Sequence, residues 1–244
     1  MIRTKLGLLG LCAVGLGMMA ISASSAQGAF SWLILDKNGQ NLENLQAKLE
    51  GANDSIHYTL STHALSTTLN ITCNNFELIG MEILLGGVLN TGGKARFTGC
   101  EAYKTAPLTE AYDCMVHSPG QPKGTVVTNR LKGKLVLHTI KAGETEVLTQ
   151  IESAEEGEEA GALVKLEFEL CAFSSSKLKG VLLVKDCNKA ATTHAVLHLV
   201  EQGPLTSLVY GSDTVEHLST SLIGSGWIKL GGPHEGLSWA AMDA

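Results

Sequence analysis

Apolar and polar residues alternate along most of this chain, beginning near Leu45. Leu45, Ala47 and Leu49 alternate with polar neighbours, Gly51-Ala52-Asn53-Asp54 offers a turn, and Ile56, Tyr58 and Leu60 alternate again. Two such runs around a turn predict a β-hairpin. Leu69, Ile71 and Cys73 share a further face that ends at a polar Asn74-Asn75 break. From Phe76 to Leu89 the chain is almost continuously apolar, which suits a strand buried on both sides or a long strand kinked at Gly80 and Gly86-Gly87. Ala95, Phe97 and Gly99 lead into Cys100.

Two later runs, Leu131 to Leu137 and Leu178 to Val184, share the pattern Leu-Lys-Gly-x-Leu-x-(Leu/Val). Each places its leucines and glycine on one face; Lys132 and Lys134, or Lys179 and Lys185, point to the other. They read as two strands of one sheet. Strands also fit Val147 to Ile151, Ala162 to Leu170, Ala195 to Val200, Leu205 to Tyr210 and Trp227 to Leu230. Helical spacing after the leader occurs only at Leu42, Leu45 and Leu49, where it competes with the strand reading. The acidic stretch from Glu152 to Glu159 reads as a solvated loop, and Pro107, Pro119 and Pro122 fall in one long loop between Cys100 and Thr125. The expected fold is all-β, a single antiparallel sandwich or barrel. Alternation alone does not separate the two.

The N-terminus follows a different rule. Arg3 and Lys5 precede an apolar run from Leu6 to Ile21, and small residues follow to Ala29. This is the layout of a cleaved export signal, with peptidase sites after Ala26 or after Gly28. Residues 1–28 are therefore expected to be a signal peptide and 29–244 one β-rich domain working outside the cytoplasm, extracellular or periplasmic, where disulfides persist. Cys12 lies inside the signal, and Leu9-Gly10-Leu11 before it does not fit lipid attachment.

Charge narrows the partners. The chain carries a net charge of −6, and loss of Arg3 and Lys5 with the signal takes the mature protein to −8. No basic run reaches four residues, so neither a nucleic-acid backbone nor an anionic membrane surface is an expected partner. No segment after Ala29 is apolar enough for a helical span, and the ending Trp239 to Ala244 lacks the terminal aromatic of an outer-membrane barrel. The expected partner is an extracellular or envelope component of unspecified kind. Aromatic residues make up only 5% of the chain, which argues against a sugar-stacking platform.

Candidate chemistry is thin. The mature chain holds Cys73, Cys100, Cys114, Cys171 and Cys187. Local spacing favours Cys171–Cys187. Either Cys100–Cys114 then clasps the proline-containing loop and leaves Cys73 free, or Cys73–Cys100 leaves Cys114 exposed. His194 and His198 are four apart, with Asp213, Glu216 and His217 following, and strand positions four apart share a face. Such residues can form a metal or hydrolase site, but no recognised zinc motif is present, and histidines on the polar side of an amphipathic strand are the preferred explanation. Gly224-Ser225-Gly226 lacks the spacing of a nucleophile elbow, and Ser174 to Lys177 lacks the companions of a Ser-x-x-Lys enzyme. No catalytic, cofactor-binding or metal-binding residue is assigned, and no cofactor is expected.

Phe97-Thr98-Gly99-Cys100, Leu131-Lys132-Gly133 running to His138, Leu178-Lys179-Gly180 running to Cys187, and the ending Gly231-Gly232-Pro233-His234-Glu235-Gly236-Leu237-Ser238-Trp239 resemble a group of secreted bacterial β-rich proteins with no established activity. The resemblance implies a location and an all-β fold, and no site. Three functions follow as expectations. The first is an exported non-enzymatic protein acting through its surface in adhesion, matrix or wall association. The second is a β-barrel that binds a small apolar ligand, for which an apolar pocket would speak and a fully packed interior would not. The third is a secreted hydrolase built around His194, His198 and His217.

Overall fold

An unpaired strand edge exposes a row of backbone donors and acceptors, and the main sheet of this protein pairs its edges off in a ring. The computed structural model describes residues 30–42, 46–53, 58–64, 67–103, 115–141, 144–171, 174–185, 193–202, 206–210 and 215–243. The export signal expected at 1–28 lies outside the described residues, as do Cys114, Cys187 and Asp213. The described chain is almost entirely β, and it contains no α-helix.

After β1 (Phe30–Leu35), eight long staves follow one another. The first is β2 (Ala47–Asn53) continued by β3 (Tyr58–Ala64), and the second is β4 (Thr67–Ile79) continued by β5 (Glu82–Leu84). The single strand β6 (Val88–Tyr103) is the third. Beyond the short β7 (Met115–His117), the fourth stave joins β8 (Thr125–Val127) to β9 (Leu131–Lys141). The fifth joins β10 (Glu144–Ser153) to β11 (Ala162–Glu169), and the sixth joins β12 (Ser175–Lys179) to β13 (Val181–Lys185). The last two are β14 (His194–Gln202) with β15 (Thr206–Tyr210), and β16 (Val215–Ile223) with β17 (Ser225–Leu230). The final strand is β18 (Ser238–Asp243).

Each stave pairs antiparallel with its successor, and the eighth returns to the first. β17 pairs with β2, with Ile228 opposite Gly51, and β16 pairs with β3, with Leu222 opposite Leu60. Between the fourth and fifth staves, β9 meets β10 directly, while β7 is inserted between β8 and β11. Gly124 N–H donates to Val116 O (2.8 Å) and Ser118 N–H to Thr125 O (3.0 Å), which ties β7 to β8. β8 in turn pairs with β6. The sheet is therefore a closed up-and-down barrel, which resolves the sandwich-or-barrel alternative.

The inner face is apolar. Leu69, Ile71, Cys73, Ile83, Leu89, Leu131, Leu166, Leu178, Ile228 and Leu230 are buried in one continuous cluster. The outer face carries cross-strand charge pairs, including Arg96–Glu77 (2.7 Å) and Lys132–Glu152 (3.5 Å). A membrane-spanning barrel has the reverse polarity, apolar outside and polar within. Among the described residues no helix is long and apolar enough to cross a membrane.

β1 and β18 form a separate two-stranded ribbon, with Phe30 opposite Asp243 and Ile34 opposite Trp239. Ile34 and Trp239 join the main core, whereas Phe30 and Ala241 pack with Leu135 of β9. The ribbon thus fills the end of the barrel that holds the Leu85 to Gly87 turn. Alternation did not predict either strand.

Several local expectations are corrected. β2 and β3 do not form a hairpin; they are successive halves of one stave, and each pairs with other staves. Gly80 is a bend where β4 passes into β5, as a kinked strand requires, whereas Gly86-Gly87 belong to the turn that ends the stave. The polar Asn74-Asn75 pair does not end β4. Cys73 and Phe76 both belong to the core, so the inward set shifts by one residue there, matched on β6 between Phe97 and Cys100. Leu178 to Val184 is two strands, because Gly180 (φ 135°) breaks it in a conformation that side chains rarely adopt. β12 and β13 therefore pair with different strand halves. The proline-containing loop includes β7 and β8. The leucine triplet at 42–49 forms no helix: Leu42 lies outside the strands, Leu45 lies outside the described residues, and Leu49 sits in β2.

The acidic stretch is an exposed loop between β10 and β11, as expected, apart from Glu152 and Ser153 at the end of β10, and ion pairs tie it to neighbouring strands. Arg130 Nε donates to Glu155 Oε1 (3.0 Å) and Arg130 Nη2 to Glu155 Oε2 (2.9 Å), and Lys177 Nζ pairs with Glu159 (2.6 Å). The paired Arg130 guanidinium holds the Glu155 carboxyl down to about 2, against an ordinary value of 4.5. A carboxylate lowered on folding stabilises above its unfolded value and loses that contribution as pH falls through its folded one. Glu155→Gln is therefore expected to lower the unfolding temperature by a few degrees at pH 7, a gap that closes between pH 4.5 and pH 2. Thermal melts across that range check it, and a gap independent of pH would refute the role of the pair.

Cys73 and Cys100 sit directly opposite each other on β4 and β6 and are bridged, with an S–S distance of 2.09 Å. The bridge closes a sequence separation of 27, for which chain entropy gives about 3.5 kcal/mol. The double variant Cys73→Ser, Cys100→Ser should lose roughly that much in urea unfolding, while far-ultraviolet circular dichroism stays that of a β protein.

Candidate ligand-binding site

Eight-stranded barrels have interiors that side chains can just fill, or that hold one small ligand. Here the filling is incomplete. A cavity of about 180 Å³ lies inside the barrel, walled by side chains from most staves and from the ribbon. Leu60, Ile71, Leu131, Leu166 and Ile228 form part of the wall because each occupies an inward strand position.

Aromatic rings define the space. Tyr58, Phe76 and Phe97 form a triad with ring centroids 5.1, 5.2 and 5.4 Å apart. Such tilted and edge-on packing suits the ring quadrupoles. Tyr58 reaches its place because residue 224 is glycine: a Cβ there would stand 2.4 Å from a Tyr58 ring carbon. From the ribbon, Trp32 and Trp239 meet at 5.5 Å and complete the wall.

The wall is almost wholly apolar. It holds no carboxylate, imidazole, ammonium or guanidinium among the described residues, and its cysteine, Cys73, is bridged. Thr128 Oγ1 is occupied, accepting a hydrogen bond from Ala95 N–H (2.9 Å). The wall's hydroxyl groups are those of Tyr58, Thr128 and Thr149.

The histidines singled out in the sequence are not brought together. His194 and His198 lie on β14, opposite Lys229 and Ser225 of β17, and His217 lies on β16 opposite Leu208. Along the eighth stave, His217 and Lys229 are separated by about 40 Å at strand spacing. His194 and His217 therefore sit towards opposite ends of the barrel, and Asp213 lies outside the described residues. Among the described residues no group of three or more His, Cys, Asp or Glu is arranged to hold a metal ion.

Another polar cluster lies at the end of the barrel opposite the ribbon. His117 Nε2 is 3.4 Å from Glu169, whose other oxygen takes Lys123 at 2.7 Å. The Lys123 ammonium, bonded to Glu169, holds that carboxyl below its ordinary value. These are three side chains balancing one another on the outside of β7 and β11.

For the cysteines, the Cys73–Cys100 bridge excludes the pairing of Cys100 with Cys114. Cys171 is also disulfide-bonded, to a cysteine outside the described residues. The cavity itself had no single motif to betray it. Its signals were diffuse: the apolar run from Phe76 to Leu89, the small inward Ala95, and two of the three tryptophans, Trp32 and Trp239, placed far apart in the sequence.

The fold and cavity define a closed antiparallel barrel with an apolar interior. Comparison of the chain with protein-family models, curated proteins and solved structures finds no match in any of the three.

The close approach of Tyr58 to Gly224 gives a direct check on this packing. Gly224→Ala should cost about 1–3 kcal/mol in urea unfolding, the usual penalty for overpacking a core. A neutral result would show that the Tyr58 ring is free to move aside.

Proposed function

We propose that this protein is an exported barrel that binds a small apolar molecule in its interior. The observation that carries the reading is the apolar cavity of about 180 Å³. Apolar cavities of about 150 Å³ stay dry and take up benzene-sized molecules. Filling such a space recovers dispersion contacts that the wall atoms otherwise lack. Export is supported by the signal-like leader before Phe30, by the Cys73–Cys100 disulfide and by the charged outer face of the barrel. The surface-acting reading draws on the same leader and disulfide but has no feature of its own. Against the hydrolase reading, His194 on the seventh stave and His217 on the eighth lie towards opposite ends of the barrel.

Toluene tests the proposal. Saturating toluene should raise the unfolding temperature of the mature protein, since a ligand at ten times its Kd stabilises by about 1.4 kcal/mol. Ala95→Leu places three further carbon atoms in the cavity wall and should abolish the toluene effect while leaving the unliganded protein equally or more stable. An unfolding temperature that toluene leaves unchanged in the native protein would overturn the reading.

A further inference from the structure

Buried tryptophans almost always give their indole N–H a hydrogen-bond partner. Trp32 lines the cavity, and its Nε1 is shielded from solvent with no hydrogen-bond partner among the described residues. Leaving such a donor unpaired costs about 1–3 kcal/mol, so an orphan of this kind in a native wall calls for an occupant. Water is a poor candidate, because a buried water wants two to four polar partners and this wall is almost wholly apolar. Besides Tyr58, Thr128 and Thr149 bring hydroxyls to the wall, and neither is a hydrogen-bond partner of Trp32 Nε1.

We infer that Trp32 Nε1 is the polar anchor of the ligand site, and that the ligand is a small apolar molecule carrying one hydrogen-bond acceptor of the ketone or ester carbonyl type. This rests on the binding reading above and makes it more specific. A carboxylate is not the acceptor, because the wall holds no cation to balance its charge among the described residues and an unpaired buried anion is strongly disfavoured. A hydrocarbon alone would leave the indole N–H unsatisfied. The cavity volume limits the ligand to about the size of a substituted benzene ring.

The test compares acetophenone with isopropylbenzene, which are close in size and differ in a planar carbonyl group against a tetrahedral CH–CH3. Both are titrated into the native mature protein, into Trp32→Phe, and into protein in which the Trp32 indole is replaced by benzothiophene, which keeps the shape and removes the N–H. The expected result is that both bind native protein and that both replacements weaken acetophenone about tenfold relative to isopropylbenzene, the value of one hydrogen bond. The carbonyl stretch of bound acetophenone should lie at lower frequency in native protein than in the benzothiophene form. If both molecules bind and neither their affinity ratio nor the carbonyl frequency responds to loss of the N–H, the anchor is wrong while the cavity reading stands. If neither molecule binds the folded native protein, the binding reading itself falls, and this inference with it.

Discussion

The pairing of β17 with β2 and of β16 with β3 joins the last stave to the first, and without it the sheet would end in two open edges. Closure removes those edges and fixes which side of every stave is inside. Once the ring is shut, a residue such as Ile71 or Ile228 has only two environments, the enclosed core or the solvent. The apolar inner face and the charged outer face follow from that choice made repeatedly. So does the interior space, because a ring of eight staves encloses a volume that its inward side chains fill only if they are large enough.

Long staves do not wrap into a barrel without local adjustment, and this one adjusts near mid-height. Gly80, Gly180 and Gly224 lie at the joins between strand halves, and the inward set of β4 shifts between Cys73 and Phe76. These joins let each half-stave keep its apolar face inward while the strand direction changes, as bulges do in other curved sheets. They also admit the aromatic triad. Tyr58 occupies space that any side chain at 224 would claim. The Cys73–Cys100 bridge lies at the same shift, covalently holding the two strands that change phase together.

Much of the sheet was legible in the sequence, because one face of each stave meets the core and the other meets water. Leu69, Ile71 and Cys73 announce that directly, as do Leu131 and Leu135. Closure left no such mark, since the register between β17 and β2 is set by backbone hydrogen bonds that any residue type can make. The ribbon was missed for a related reason. Phe30 to Leu35 and Ser238 to Asp243 present small and large residues without clean alternation, and their partner lies at the far end of the chain. The run from Leu178 to Val184 misled because Gly180 looks the same in a continuous strand as at a corner. Nor could the cavity be read in advance, as an interior gap is a shortage of volume summed over many staves. The spaced histidines suggested a site because sequence distance hid the length of the stave between His217 and the partner of His194.

Two of the chain's three tryptophans, Trp32 and Trp239, stand in the cavity wall, while Trp227 lies on β17 outside it. Indole emission depends on the polarity and quenching groups around each ring. The two wall tryptophans also stand close enough together to exchange excitation. A molecule entering the cavity would therefore alter the intrinsic fluorescence, so the barrel would report its own occupancy without any added label.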